Sequence, residues 1–333
     1  MGVRRHCQFL AAFSLVAGLT APALAQTDLR IGSGFGDAHS STRAIRDVFA
    51  SQVEKNTNGR YKVSVFATSQ LGQAPEMVNQ TQQGITFGVF VSSAFFNSQV
   101  PQLGVTNLPF MFPTRADAFR VLDGPVGQEL AQKLDEKGLT LMGFMELGFR
   151  HLTNSKLPIT KPEDVRGLKI RLQNNPVHIA TFRLLGANPV AIDASEMFAA
   201  LRQGVADGQE NPYAVINIFK LNEANQKYAT DSGHFYDILI FAASKSVLAR
   251  FSAEDRKAIL DAGRAATLEQ RRIAETEDGA NLAEVKAKGV QVTVLTPAQR
   301  EAFRLATAPV YQEMVGTLGK DYIDRVVGLV QQK

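Results

Sequence analysis

Two arginines carry most of the chemistry that this sequence offers. In Leu168-Lys169-Ile170-Arg171-Leu172 the residue types alternate, so a strand here puts Leu168, Ile170 and Leu172 on one face and Lys169 and Arg171 on the other. A guanidinium stays charged at physiological pH and presents parallel N–H donors that match a carboxylate. Arg150, within Gly148-Phe149-Arg150-His151, follows the apolar stretch 139–145 and falls where a chain crossing between two lobes is expected. On pattern alone, either arginine also fits a surface ion pair. Asp207-Gly208-Gln209-Glu210-Asn211-Pro212 adds a turn-rich cluster of amides and carboxylates. From it Asn211 can donate to a ligand, or the cluster can cap a turn leading into a helix.

Other chemistries lack their residues. The sequence contains no His-Glu-x-x-His zinc motif, no Walker loop and no Gly-x-Ser-x-Gly elbow. Gly32-Ser33-Gly34-Phe35-Gly36 follows a predicted strand, but its third glycine comes one residue early for a dinucleotide fingerprint, so it reads as a backbone turn. His39, His151, His178 and His234 have no ligand spacing. Neither a metal nor a cofactor is expected.

The elements that must position these residues follow from length and periodicity. A chain of 333 residues, 45% apolar and 20% charged, is globular and exceeds the size at which a single core stops growing. Two lobes with a cleft between them are predicted. Residues 1–25 read as a cleaved secretory leader: Arg4-Arg5, an apolar run at 9–19, then Ala23-Leu24-Ala25. The leader removes the only cysteine, Cys7, and two of the 36 basic residues, leaving a nearly neutral chain against 32 acidic ones. A chain with no basic stripe is not expected to bind nucleic acid.

Strands are predicted at 29–31, 61–66, 86–91, 140–144, 168–172 and 290–295, alternating with helical patterns such as 43–55, which makes the class α/β. An internal echo links the two halves. Glu76-Met77, six residues, then Gln83-Gly84-Ile85-Thr86-Phe87-Gly88 matches Glu196-Met197, six residues, then Gln203-Gly204-Val205-Ala206-Asp207-Gly208, in five of thirteen positions. Each copy predicts a helix closed by glycine and followed by an extended segment, unless the match is chance. From 253 to 288 no proline interrupts a helical pattern capped by Ser252. One helix of ~54 Å would brace both lobes, and two helices broken near Gly263 or Gly279 would not.

Together these residues resemble the DctP-type solute-binding proteins of tripartite ATP-independent periplasmic (TRAP) transporters. The matching pieces are Ser69-Gln70-Leu71-Gly72, Leu108-Pro109-Phe110-Met111-Phe112, Gly148-Phe149-Arg150, Gly167 to Leu172, Leu185-Gly186-Ala187-Asn188-Pro189 and Ala200 to Pro212. The resemblance implies a two-lobe periplasmic binding protein fold of type II-like topology, each lobe a mixed sheet flanked by helices, with a long helix spanning both. The lobes would comprise 26–149 with about 237–276, and 150–236 with about 277–333. It implies Arg171, Arg150 and Asn211 as contacts to a ligand carboxylate, with Phe35, Gln73, Ser92 and Phe95 around the rest of the pocket, and the expulsion of water on closure calls for Phe95 or Phe149 in its wall. It further implies a periplasmic monomer that takes a small organic acid, a dicarboxylate or sugar acid, to the small and large permease subunits, without enzymatic activity. Two other readings stay open: an exported enzyme using Glu210 or Asp207 as base, and a ligand-reading partner of a membrane sensor.

Overall fold

The computed structural model describes residues 26–332, so the predicted leader and Cys7 lie outside the described residues. Among the described residues nine strands form one sheet: β1 (Thr27–Ser33), β2 (Tyr61–Phe66), β3 (Gly88–Ser92), β4 (Leu139–Asn154), β5 (Lys169–Leu172), β6 (Asn188–Ala191), β7 (Gly208–Asn211), β8 (Tyr228–Ser244) and β9 (Gln291–Val294). Their order is β2-β1-β3-β8-β4-β7-β5-β6, with β9 paired to β8. The two ends of this path have the same design. β1 lies parallel to β2 and β3, as β5 does to β6 and β7, and each block joins the centre through an antiparallel partner: β3 with β8, β7 with β4.

The echo marks this duplication. Helices Ala74–Gln82 and Ala194–Arg202 both end on glycines with positive φ, Gly84 at 75° and Gly204 at 72°. Beyond them the Ile85 and Val205 amides each donate 2.9 Å back to the carbonyls of Gln80 and Ala200, a Schellman closure that a left-handed glycine permits. The strands β3 and β7 follow directly. Thus residues 207–212, turn-like by composition, contain a buried strand, as the echo predicts.

β4 and β8, of 16 and 17 residues, are the crossings between blocks. Their pairing shifts register at Leu141/Gly143, Glu146/Gly148 and Arg150/Leu152, which lets the pair bend where it leaves one block for the other. Along β8, Ile238 and Ile240 enter one core cluster while Leu239 and Phe241 enter another on the opposite face.

The segment Ala253–Ala287 is a single 35-residue helix, begun by Ser252, whose hydroxyl accepts from the Asp255 amide at 3.0 Å. It is tied to the first block by Arg60–Asp255 (2.5 Å) and Arg43–Glu277 (2.6 Å), and to the second by Asn217, which donates to the Asn281 carbonyl at 2.8 Å. Neither glycine breaks it, for different reasons. A Cβ on Gly263 would stand 2.9 Å from Met142 Cβ, so the glycine allows the helix to lie on β4, whereas Gly279 faces open space. Gly263→Ala should therefore destabilise by about 1 to 3 kcal/mol through overpacking, and Gly279→Ala should stabilise by about 0.5 to 1 kcal/mol. Urea unfolding of the two variants checks the opposite signs.

The predicted helix at 43–55 extends over 40–56 and contains a π-helical turn, Ile45–Ala50. At the far end, Phe303 packs with Leu168 and Ile170 of the second block, but Val310, Leu318, Ile323 and Val326 join the cluster of Val121, Leu122 and Leu130. The helices Val315–Leu318 and Lys320–Gln331 therefore lie against the part of the chain that the sequence reading assigns to the first lobe, while Pro309–Glu313 packs on Pro176–Leu184 of the second.

Candidate functional site

The carboxyl ends of β1, β3, β5 and β7 meet at one narrow cavity, the position where open α/β sheets place ligands. The first block contributes Gly34, Phe35, Ser69, Val91, Ser92 and Phe95; the second contributes Arg171, Gln173, Asp193, Met197 and Asn211. Leu147 of β4 lines the space between them, with Val215 and Phe219 beyond. Ser69 stands in a left-handed turn, Thr68 at φ 53° and Ser69 at φ 57°, fastened by amide donations to the Phe35 and Ser33 carbonyls at 3.0 and 2.8 Å. Such backbone strain in non-glycine residues clusters at ligand sites.

Arg171 dominates the cavity. Its Nε donates to the Ile192 carbonyl at 2.8 Å, which fixes the plane of the guanidinium, while Nη2 is buried without a partner. Only 1% of the residue is exposed. Among the described residues no carboxylate comes within ion-pair distance of it. Burial, reinforced by the charge of Arg150, lowers its pKa to about 10, so it remains cationic at neutral pH. An unpaired buried cation is costly, and an incoming anion relieves that cost.

Arg150 is arranged differently. It is fully buried, its Nε and Nη2 fork onto Glu210 at 2.5 and 2.8 Å, Nη2 also reaches the Glu210 carbonyl at 2.6 Å, and Nη1 reaches Asp237 at 2.7 Å. Burial opposes charge on Glu210, but Arg150 and His234 together hold its carboxyl well below the usual range; at Asp237 burial prevails and pushes the pKa up. The Ser92 hydroxyl donates to Asp237 at 2.9 Å and lies 3.4 Å from Gln173 Oε1, so this network runs from the first block to the second behind the cavity.

The structure brings together five of the eight residues named from the sequence: Arg171, Asn211, Phe35, Ser92 and Phe95 line the cavity. Asn211 Nδ2 is already committed to Gln209 Oε1 at 2.5 Å. Arg150 stands behind the wall. Phe149, its neighbour on β4, projects to the opposite face of the sheet and packs edge-on against Tyr236, with ring centroids 4.9 Å apart, beside a separate groove. Gln73 is exposed at the start of its helix, and the next residue, Ala74, takes the position on the cavity. Glu210 and Asp207, the candidate bases, do not line it: Glu210 holds Arg150, and Asp207 accepts from the Lys169 amide at 2.9 Å. Gln173, two residues beyond Arg171 on the same side of the chain, was readable from the alternation; Phe219 carries no such signal.

His178 and His39 make the fold acid-sensitive. Glu210 Oε1 lies 3.9 Å from His178 Nδ1 and favours a proton there, but burial outweighs it and lowers the pKa to about 3; burial, then Arg43, does the same to His39. Both are neutral when folded and take up protons only on unfolding below about pH 6.5. Stability is therefore lost as pH falls from 6.5 toward 3, by about 4 kcal/mol for the pair between pH 7 and pH 5. Urea unfolding at the two pH values measures it, and His178→Phe should remove about half of that loss.

The model of the family "Bacterial extracellular solute-binding protein, family 7" (DctP) matches residues 31–317. The chain belongs to this family. A solute-binding protein of Verminephrobacter eiseniae (strain EF01-2) is 38% identical over 307 residues, covering 92% of this chain and 90% of the relative. Among solved structures, the sugar acid binding protein DctPAm of Advenella mimigardefordensis strain DPN7T, in complex with galactonate, is 33% identical with a TM-score of 0.89, covering 92% of this chain and 98% of its own. A TRAP periplasmic solute binding protein of Sulfurospirillum deleyianum DSM 6946, with bound succinate, is 33% identical with a TM-score of 0.87, covering 91% and 99%. Proteins of the DctP family are periplasmic and bind solutes for transport.

Proposed function

We propose that this DctP-family chain captures a small organic acid between its two lobes, grips the carboxylate with Arg171, and delivers it unchanged to a TRAP permease. The observation that carries this reading is the buried Arg171 guanidinium with Nη2 unpartnered at the wall of a cavity. Galactonate and succinate, bound by two relatives, both offer the group it would receive. Two charge-assisted hydrogen bonds contribute roughly 3 to 6 kcal/mol, while micromolar capture requires about 8 kcal/mol. Phe35, Phe95 and Phe219, together with the water that they exclude, supply the difference.

The lobe division at about 149/150 and 236/237, where β4 and β8 cross, belongs to this proposal, as do export through the leader at 1–25 and action as a monomer. Closure would bend the two crossing strands at their register shifts. A thermal-shift screen against aldonic, hydroxy, keto and dicarboxylic acids tests the reading. An acid present at about 100 times its dissociation constant adds about 2.7 kcal/mol and raises the melting temperature by several degrees. If no acid in such a panel does so, the assignment of the cavity to organic acids fails.

A further inference from the structure

We propose that the cavity selects acids with a single carboxylate and an otherwise uncharged body. This rests on the reading of Arg171 as the carboxylate grip. Galactonate has one carboxylate and succinate two, so the relatives leave the matter open. The charges of this chain decide it. The charged side chains that line the cavity are Arg171 and Asp193. Behind them, Arg150 is held by Glu210 and Asp237 and offers no free fork to the cavity. Of these two cations, Arg171 alone has no carboxylate within ion-pair distance among the described residues, with Glu210 and Asp193 acting on it only from farther off. One ligand carboxylate meets that demand.

A second carboxylate has no cation to meet. Asp193 adds a negative charge to the cavity wall; its Oδ1 accepts from the Ser195 amide and hydroxyl at 3.0 and 2.9 Å rather than from a cation. The remaining wall is largely apolar: Phe35, Phe95, Leu147, Val215 and Phe219. Desolvating a carboxylate against such a surface is unfavourable without a paired charge. The same surface favours a hydrocarbon body, and Ser69 and Gln173 in the lining offer hydrogen bonds to a hydroxylated one.

Calorimetric titration of matched pairs tests this: gluconate against glucarate, 2-hydroxybutanoate against malate, and 4-hydroxybutanoate against succinate. In every pair with a binding member, the monoacid should bind at least thirtyfold tighter. Asp193→Asn removes the charge and keeps a side chain able to cap the helix; it should narrow that ratio at least fivefold by improving the diacid. A diacid that binds as tightly as its monoacid, or an unchanged ratio in Asp193→Asn, overturns the inference. If that diacid is still lost in Arg171→Ala, the carboxylate grip survives and only the single-charge selection falls. No binding by any member up to 10 mM, a ceiling chosen as about the weakest affinity useful for capture, overturns both.

Discussion

Arg171→Ala should weaken capture of the cognate acid by at least a hundredfold, and Arg171→Lys should recover little of it. The alanine variant leaves the ligand carboxylate desolvated without its partner, a loss of about 3 kcal/mol or more. Lysine restores charge but not the parallel donors, and its ammonium is not held by the Ile192 carbonyl as Nε is. Calorimetry with the acid found in the screen measures both. Stability should move the other way. Because Arg171 has no carboxylate within ion-pair distance among the described residues, Arg171→Met should not destabilise the ligand-free protein and should stabilise it by up to about 3 kcal/mol. A residue retained for folding would show the opposite sign, so urea unfolding of the ligand-free variant separates the two roles. Binding and stability both unchanged from the parent would remove Arg171 from the site.

Arg150→Met should give the largest loss of folding stability, about 3 to 5 kcal/mol. The cause is what it leaves behind: Glu210 and Asp237, both fully buried, would keep their places without a cation between them. Protonation can relieve part of the cost, so the deficit should shrink as the pH is lowered from 8 to 6. Any loss of affinity should follow from distortion of the wall rather than from a lost ligand bond. Urea unfolding and calorimetry on the same preparation test the assignment. A variant as stable as the parent but deficient in binding would return Arg150 to the role of ligand contact that the family resemblance implies.

Why one arginine was legible and the other was not is a matter of distance along the chain. Alternation at 168–172 identified the strand and the face of Arg171, because both are local properties. The partners of Arg150 lie 60 and 87 residues away, and nothing near position 150 indicates them. The same contrast runs through the fold. β1, β2, β5 and β9 were readable from short periodic runs, and the echo located the helices that end at Gly84 and Gly204. β8 escaped because its residues are apolar on both faces, so Ile238 to Ala243 shows no period of two that would distinguish a strand from a buried helix. β7 escaped composition because Gly, Gln, Glu and Asn are poor strand formers that pairing with β4 and β5 holds extended. Gln73 missed the cavity by one residue, since Ala74 lines it, and Phe149 stands two residues beyond Leu147, past the register shift at Glu146/Gly148 that no local period announces.

The repetition of one three-strand block at either end of the sheet separates two tasks. In the proposed reading the anion is anchored by Arg171 on β5 of the later block, whereas Phe35, Ser69 and Phe95, which would shape the space for the remainder of the molecule, come from the earlier one. Each half is built on its own hydrogen-bonded framework. Diversity in what is carried can therefore arise by altering the residues around Arg171, Asp193 as well as those of the earlier half, with the electrostatic anchor left untouched.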